Sequence, residues 1–106
     1  MKILVLISAN DAETAWNAFR YAAFSSKMGD EAKVFLISKG VETEHIEDEK
    51  FNVVEEIKNY LEAGGEITVC GTCLAKRKWD MPRFGKTGTL ANLHELVRDS
   101  DKIITF

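Results

Sequence analysis

The chain has 106 residues, of which 45% are apolar and 29% charged, with a single proline. This profile is typical of one compact domain, and a domain of this size buries a modest core, which favours association with other copies. The net charge of −3 and the pI near 5.4 argue against a general nucleic-acid or anionic-membrane surface. We therefore predict one domain over residues 1–106, with no nucleic-acid and no membrane partner.

Apolar and β-branched segments predict strands that are buried on both faces, as in a parallel sheet. The four predicted strands are 3–7, 31–37, 66–69 and 102–106. Amphipathic segments between them predict helices. The three amphipathic segments are 12–23, 53–61 and 90–97. Asn10 with Glu13 and Asn52 with Glu55 have the spacing of reciprocal N-terminal caps, and Thr89 is the predicted cap of the last helix.

Strands that alternate with helices predict an α/β fold, a three-layer α/β/α sandwich around a mainly parallel sheet. We favour the strand order 2-1-3-4, in which the connection reverses between the first and third strands. Ligands of open α/β sheets bind at such a reversal, beyond the carboxyl ends of the strands. Residues 8–10 and 70–73 are therefore expected to face each other there, with Asn10 as a substrate-binding residue.

Cys70 and Cys73 are the only cysteines, and they form a Cys-x-x-Cys motif between the third strand and a helix predicted to run to about Lys78. A sulfur atom at the start of a helix lies near unpaired N–H groups and the positive end of the helix dipole, which favour the thiolate. Cys70 is therefore the predicted nucleophile. Gly71 is expected to allow a close turn of the backbone, and Thr72 to offer its hydroxyl or N–H to a bound group, so both are predicted to be substrate-binding residues.

A Cys-x-x-Cys motif has other meanings. Zinc needs four ligands, and His45 and His94 fit no finger or ribbon spacing, so no metal is predicted. A thioredoxin-like dithiol stays open, although Pro82 lies in a predicted loop rather than before a strand. A third interpretation treats both cysteines as buried apolar residues. Two close cysteines without an export signal indicate a reducing cytoplasm.

Two segments between the predicted strands and helices are predicted to be connections. Residues 85–87 lack the glycine that a phosphate-binding loop requires five positions earlier, so they are predicted to be a turn before the last helix. The acidic stretch 42–49 is predicted to be a solvated connection or a short helix.

Two apolar features favour self-association. The first helix carries apolar or small residues around much of its circumference, more than the covering of a sheet requires. Trp79, Met81 and Phe84 interrupt a polar loop, so they either fold back onto the core or meet another subunit.

The cysteine segment and the strand before it, residues 64–77, resemble the central motif of the DsrE/DsrF-like sulfur-relay proteins. The resemblance extends to 32–37, 40–41, 48–53 and 88–106, and so covers nearly the whole chain. It implies a DsrE-like fold and a cytoplasmic homotrimer or homohexamer. In the sulfur-relay branch one cysteine at this location carries sulfur as a persulfide. Cys70 matches that position, and Cys73 is an additional thiol.

The sequence therefore predicts a small cytoplasmic sulfur-transfer protein without a cofactor. Cys70 would accept sulfur from a donor protein and pass it to an acceptor protein, and Cys73 would be able to release the sulfur by closing a disulfide. Two alternatives stay open. One is a non-catalytic oligomeric protein that binds a small ligand, and the other is a dithiol oxidoreductase that uses both cysteines.

Overall fold

The computed structural model describes residues 1–106 and contains a five-stranded sheet in which all neighbouring strands are parallel. The strands are β1 (Lys2–Ile7), β2 (Glu31–Leu36), β3 (Glu66–Cys70), β4 (Lys86–Gly88) and β5 (Lys102–Thr105). The α-helices are α1 (Ala12–Lys27), α2 (Val53–Glu62), α3 (Gly71–Lys76) and α4 (Leu90–Asp99). A 3-10 helix spans Ser38–His45. The predicted α/β class is confirmed.

The order of the strands across the sheet is β4-β3-β2-β1-β5. The predicted order is therefore wrong, because β3 pairs with β2 and not with β1; Val34 lies opposite Ile67. The first three connections each step to the next position in the same direction, and only the connection through α4 returns to the far side of β1. Right-handed crossovers then place α4 on the opposite face from α1 and α2.

A fifth strand lies in the segment that the sequence predicts to be a turn. Residues 86–88 form β4, which pairs with β3 and places Gly88 opposite Cys70. The strand has three residues, too few for an apolar pattern to show. Without β4, the cysteine-bearing strand β3 would be the edge strand of the observed sheet; with β4, it is an internal strand.

The helix ends follow local hydrogen bonding. The predicted cap at Asn10 is wrong by one residue, because the Asp11 carboxylate accepts the hydrogen bond from the Thr14 N–H (2.9 Å) and caps α1. Asn52 caps α2 as predicted by accepting from the Glu55 N–H, and Thr89 caps α4 as predicted, in a reciprocal arrangement with Asn92. The predicted end of the cysteine helix near Lys78 is slightly late, because α3 ends at Lys76. Lys78 has φ 59°, a left-handed conformation that stops the helix.

Tyr60 joins α2 to two strands of the sheet. Its side chain is fully buried, and its hydroxyl lies 2.6 Å from the Ala32 carbonyl oxygen and 2.8 Å from that of Glu66. The same hydroxyl accepts a hydrogen bond from the Glu66 N–H at 3.0 Å. Burial raises the pKa of Tyr60 far above its ordinary value, so the hydroxyl keeps its proton and remains a donor. Tyr60 therefore fixes the beginnings of β2 and β3 relative to α2.

The two faces of the sheet are covered unequally. Helices α1 and α2 pack on one face and contribute buried residues to the core, whereas α4 has no buried residue. Leu90 of α4 is 68% exposed, and Val97 and Ile103 are also exposed. None of the helices combines the length and apolar character that crossing a bilayer requires.

Replacement of Tyr60 by phenylalanine tests the role of its hydroxyl. The substitution leaves buried backbone groups of Ala32 and Glu66 without their partner, and we expect the free energy of unfolding to fall by about 1–3 kcal/mol. Urea denaturation followed by circular dichroism measures this change. Tyr21→Phe is the matched control, because Tyr21 is 37% exposed. Equal stability of the two variants would contradict the assignment.

Candidate active site at the cysteine pair

Both cysteines lie where β3 ends and α3 begins, as the sequence predicts. Cys70 is the last residue of β3 and the N-cap of α3, and Cys73 lies in the first turn of that helix. Neither forms a disulfide. Cys70 is only 5% exposed, whereas Cys73 is half-buried. The two thiols thus have the same chemical identity but different access to solvent.

The sulfur of Cys73 accepts a hydrogen bond from the backbone. The donor is the N–H of Ser38, 3.2 Å from Cys73 Sγ. Ser38 has φ 57°, a left-handed conformation that is uncommon for a residue other than glycine. Because β2 adjoins β3, Ser38, two residues after the end of β2, arrives beside α3. This contact depends on the observed strand order, and the sequence contains no signal for it.

The Cys73 thiol is held in its protonated form. Burial is the largest influence that raises the pKa of Cys73, and a hydrogen bond to the Cys70 side chain raises it further. The hydrogen bond from the Ser38 N–H lowers the pKa of Cys73, but the net pKa remains above its ordinary value. Cys73 is therefore a proton-bearing neighbour of Cys70 at neutral pH.

The predicted activation of Cys70 by a helix start receives limited support from α3. This helix has six residues, so few peptide dipoles add to the field at its beginning. The role of Cys70 as a nucleophile stays a prediction.

Asn10 reaches the site indirectly. Its amide nitrogen donates to Glu42 Oε1 (3.1 Å), and the Arg77 guanidinium contacts Glu42 Oε2 at 2.8 Å. Arg77 also donates to the Cys73 carbonyl oxygen at 3.1 Å. The hydrogen bond from Asn10, followed by that from Arg77, lowers the pKa of Glu42 and favours its ionised form. This network links the loop after β1 to α3.

The expected face-to-face arrangement of residues 8–10 and 70–73 is wrong, because β2 lies between β1 and β3. Ser8 instead donates its backbone N–H to the Phe106 carbonyl oxygen at 2.8 Å. Since the amide group of Asn10 is already bonded to Glu42, a direct contact between Asn10 and substrate stays a prediction.

Gly71 allows α3 to begin directly against β4. A Cβ atom at this position would lie 2.9 Å from Thr87 Cγ2 and 3.3 Å from the Gly88 carbonyl oxygen, so a larger side chain would displace the strand. Thr72 is exposed. The predicted substrate contacts of Gly71 and Thr72 stay predictions.

Glu44 is a buried carboxylate that no sequence pattern predicts. It is fully buried, and its carboxylate accepts hydrogen bonds from the backbone N–H groups of Arg83 (3.1 Å), Phe84 (3.0 Å) and Gly85 (2.8 Å). Of the two alternatives predicted for residues 42–49, the short helix is confirmed as far as His45, where the 3-10 helix ends, but Thr43 and Glu44 within it are buried and not solvated. Nothing in the sequence distinguishes Glu44 from the acidic residues near it. The carboxylate holds the loop that leads into β4, and β4 borders Cys70.

The aromatic residues of this loop mainly fold back. Trp79 and Phe84 are half-buried against the core, and the Trp79 ring also lies 4.8 Å from the His45 ring, centroid to centroid. Met81 is 72% exposed. For Trp79 and Phe84 the first of the two predicted alternatives is therefore confirmed.

The arrangement contains neither a metal site nor a large cavity at the cysteines. No three side chains of the His, Cys, Asp and Glu types gather as metal ligands would. A groove of about 810 Å³ lies beside α4 and is lined by charged residues such as Lys33, Glu66 and Lys86. It includes neither cysteine. The chemistry of the site therefore rests on the two thiols and the groups around them.

Comparison with known proteins places the chain in a family. The model of the DsrE/DsrF-like family matches residues 1–106. The chain belongs to this family, as the cysteine motif predicts.

Two archaeal proteins are similar along most of their length. The uncharacterized protein MJ0989 of Methanocaldococcus jannaschii is 32% identical, and the match covers 100% of both chains. The uncharacterized protein MK0008 of Methanopyrus kandleri is 34% identical over 89% of this chain and 83% of its own.

Solved structures show the same fold. The ychN protein from E. coli superposes with a TM-score of 0.85 at 22% identity, covering 100% of this chain and 99% of that one. The protein BT1422 of unknown function from Bacteroides thetaiotaomicron superposes with a TM-score of 0.74 at 18% identity. The match covers 99% of this chain and 94% of that one.

The raised pKa of the Cys73 thiol predicts how its alkylation depends on pH. In the wild type we expect the alkylation of Cys73 by iodoacetamide to rise with pH at a midpoint above that of an unperturbed thiol, because its pKa is raised. Cys70→Ser removes one of the causes and is expected to lower the midpoint without restoring the ordinary value, since burial remains. Peptide mass spectrometry separates the two cysteines. A wild-type midpoint at or below that of a free thiol would refute the assignment.

Proposed function

We propose that this protein is a sulfur carrier in which Cys70 accepts a sulfur atom from a persulfide donor and passes it to an acceptor. The observation that carries the proposal is the unequal cysteine pair: Cys70 is buried at the end of β3, whereas the sulfur of the more accessible Cys73 is bound by the Ser38 N–H at 3.2 Å. Membership of the DsrE/DsrF-like family supports the same chemistry.

The transfer step needs only the thiols. The Cys70 thiolate attacks the terminal sulfur of the donor persulfide, the donor leaves as a thiolate, and Cys70 retains the transferred sulfur as its own persulfide. Because Cys70 is 5% exposed, the carried sulfur would be shielded from most of the solvent. We place the protein in the cytoplasm, since a reducing compartment keeps both thiols free. No cofactor takes part in this step.

Loading with sulfur tests the carrier assignment. After incubation with glutathione persulfide and rapid desalting, we expect Cys73→Ser to gain about 32 Da, the mass of one sulfur atom, on the peptide containing Cys70. Cys70→Ser should show no gain on residue 73. Intact-protein and peptide mass spectrometry make both measurements. Equal loading of the two variants, or loading of neither, would remove the assignment.

A dithiol oxidoreductase is the second candidate, and the observation that favours it is the placement of two free cysteines three positions apart at the junction of β3 and α3. Such an enzyme turns over in the reduction of insulin disulfides, whereas a carrier does not need to. Turnover that requires both cysteines and approaches that of a thioredoxin would favour this candidate over the carrier.

We also propose that the protein assembles with copies of itself, as a homotrimer or homohexamer, through the exposed face of α4. Leu90 and Val97 lie seven positions apart and therefore on the same side of the helix. Both are exposed, as is Ile103 of the adjoining sheet edge. An apolar surface of this kind is typical of contact regions.

A charge placed on this surface should weaken the assembly. Leu90→Asp is suitable because an acidic residue in the first turn of a helix is favourable, so the fold should be retained. We expect a lower mass by light scattering coupled to size-exclusion chromatography. Met81→Asp introduces the same charge at a residue that is 72% exposed and should leave the mass unchanged. A wild-type monomer at micromolar concentration would show that the assembly proposal is wrong.

A further inference from the structure

Cys73 is the part of the motif that single-cysteine sulfur transfer does not use. It lies three positions after Cys70, across the junction of β3 and α3, and is the more accessible of the two thiols. Its sulfur is fixed by the Ser38 N–H at 3.2 Å, and its carbonyl oxygen by Arg77 at 3.1 Å. A residue whose sulfur and backbone are both held beside the proposed carrier is positioned for a reaction with it.

We propose that Cys73 attacks the persulfide on Cys70 and releases the carried sulfur as hydrogen sulfide. This inference rests on the proposed carrier function and adds an activity to it: the chain would be a sulfide-releasing protein and not only a relay.

The atoms and electrons of this step balance within the pair. A bond forms between Cys73 Sγ and Cys70 Sγ, and the bond between Cys70 Sγ and the outer sulfur breaks. The outer sulfur leaves with the electron pair of that bond and takes up the proton of the Cys73 thiol. That sulfur is reduced to sulfide, and the two cysteine sulfurs are oxidised to a disulfide. No other oxidant enters the step.

The surroundings of Cys73 suit the role of attacking thiol. Its proton is retained in the resting protein, so it does not compete with Cys70 for the donor. As the proton departs during the attack, negative charge develops on Cys73 Sγ, where the Ser38 N–H already points. The Arg77 guanidinium, in contact with the same turn, favours that charge as well.

The cycle then needs a reductant from outside the protein. A dithiol or a pair of monothiols reduces the disulfide between Cys70 and Cys73 and restores both thiols. The class of partner implied is therefore a cellular thiol reductant. It acts after the sulfur has left.

Anaerobic loading followed by a chase separates this inference from the carrier function. The full chain is loaded with glutathione persulfide, desalted and incubated without thiol, while sulfide is trapped with monobromobimane. We expect wild type to lose the added mass, to release one sulfide per loaded chain and to gain a disulfide between Cys70 and Cys73. We expect Cys73→Ser to keep the added sulfur about tenfold longer or more. Ala75→Ser, which places the same side chain at an exposed position of α3, should behave as wild type.

Each outcome has a distinct meaning. Loaded sulfur that persists equally in wild type and Cys73→Ser would overturn the inference and leave the carrier function intact. Absence of loading in Cys73→Ser would overturn the carrier function and the inference with it. The disulfide-linked peptide of the wild type is measured independently of any variant. Release of sulfide without that peptide would also overturn the inference.

Discussion

The buried carboxylate of Glu44 is the contact on which the surroundings of the cysteines depend. A buried carboxylate is costly unless its oxygens are hydrogen-bonded, and here backbone N–H groups of Arg83, Phe84 and Gly85 provide the donors. These donors belong to the loop that enters β4. Strand β4 lies against β3 at Cys70 and against the start of α3 at Gly71. By holding the loop that enters β4, the Glu44 carboxylate therefore helps to position β4 beside the cysteines.

The order of the strands explains why the two cysteines differ. With β2 between β1 and β3, the backbone that leaves β2 passes next to α3, and Ser38 donates to the sulfur of Cys73 rather than to that of Cys70. The loop after β1 reaches the site only through Glu42 and Arg77. The backbone N–H of Ser38 therefore makes the surroundings of the two thiols different, which the Cys-x-x-Cys motif alone does not predict.

Much of the architecture could be predicted from the sequence, because apolar periodicity and helix caps are local properties. Four of the five strands, the α-helices and the junction that holds Cys70 follow from such signals, whereas the three-residue β4 does not. The order of the strands does not, since strands buried on both faces look alike in sequence whichever neighbours they have. Glu44 was missed for a related reason: its donors are backbone groups some 40 positions away, and backbone groups leave no trace in the residue pattern. Asn10 was misplaced as a cap because Asp11, one residue later, competes for the same role.

The two outer strands have a further consequence for how the protein meets other chains. Strands β4 and β5 have three and four residues, and each begins with a lysine, Lys86 and Lys102. Short strands that carry lysine are poor templates for the addition of another strand, because the available ladder is brief and the charge must remain hydrated. The sheet is thus protected from growing at its margins into extended β-assemblies. Contacts with other molecules are directed to side-chain surfaces, where their extent can be limited and their stoichiometry defined.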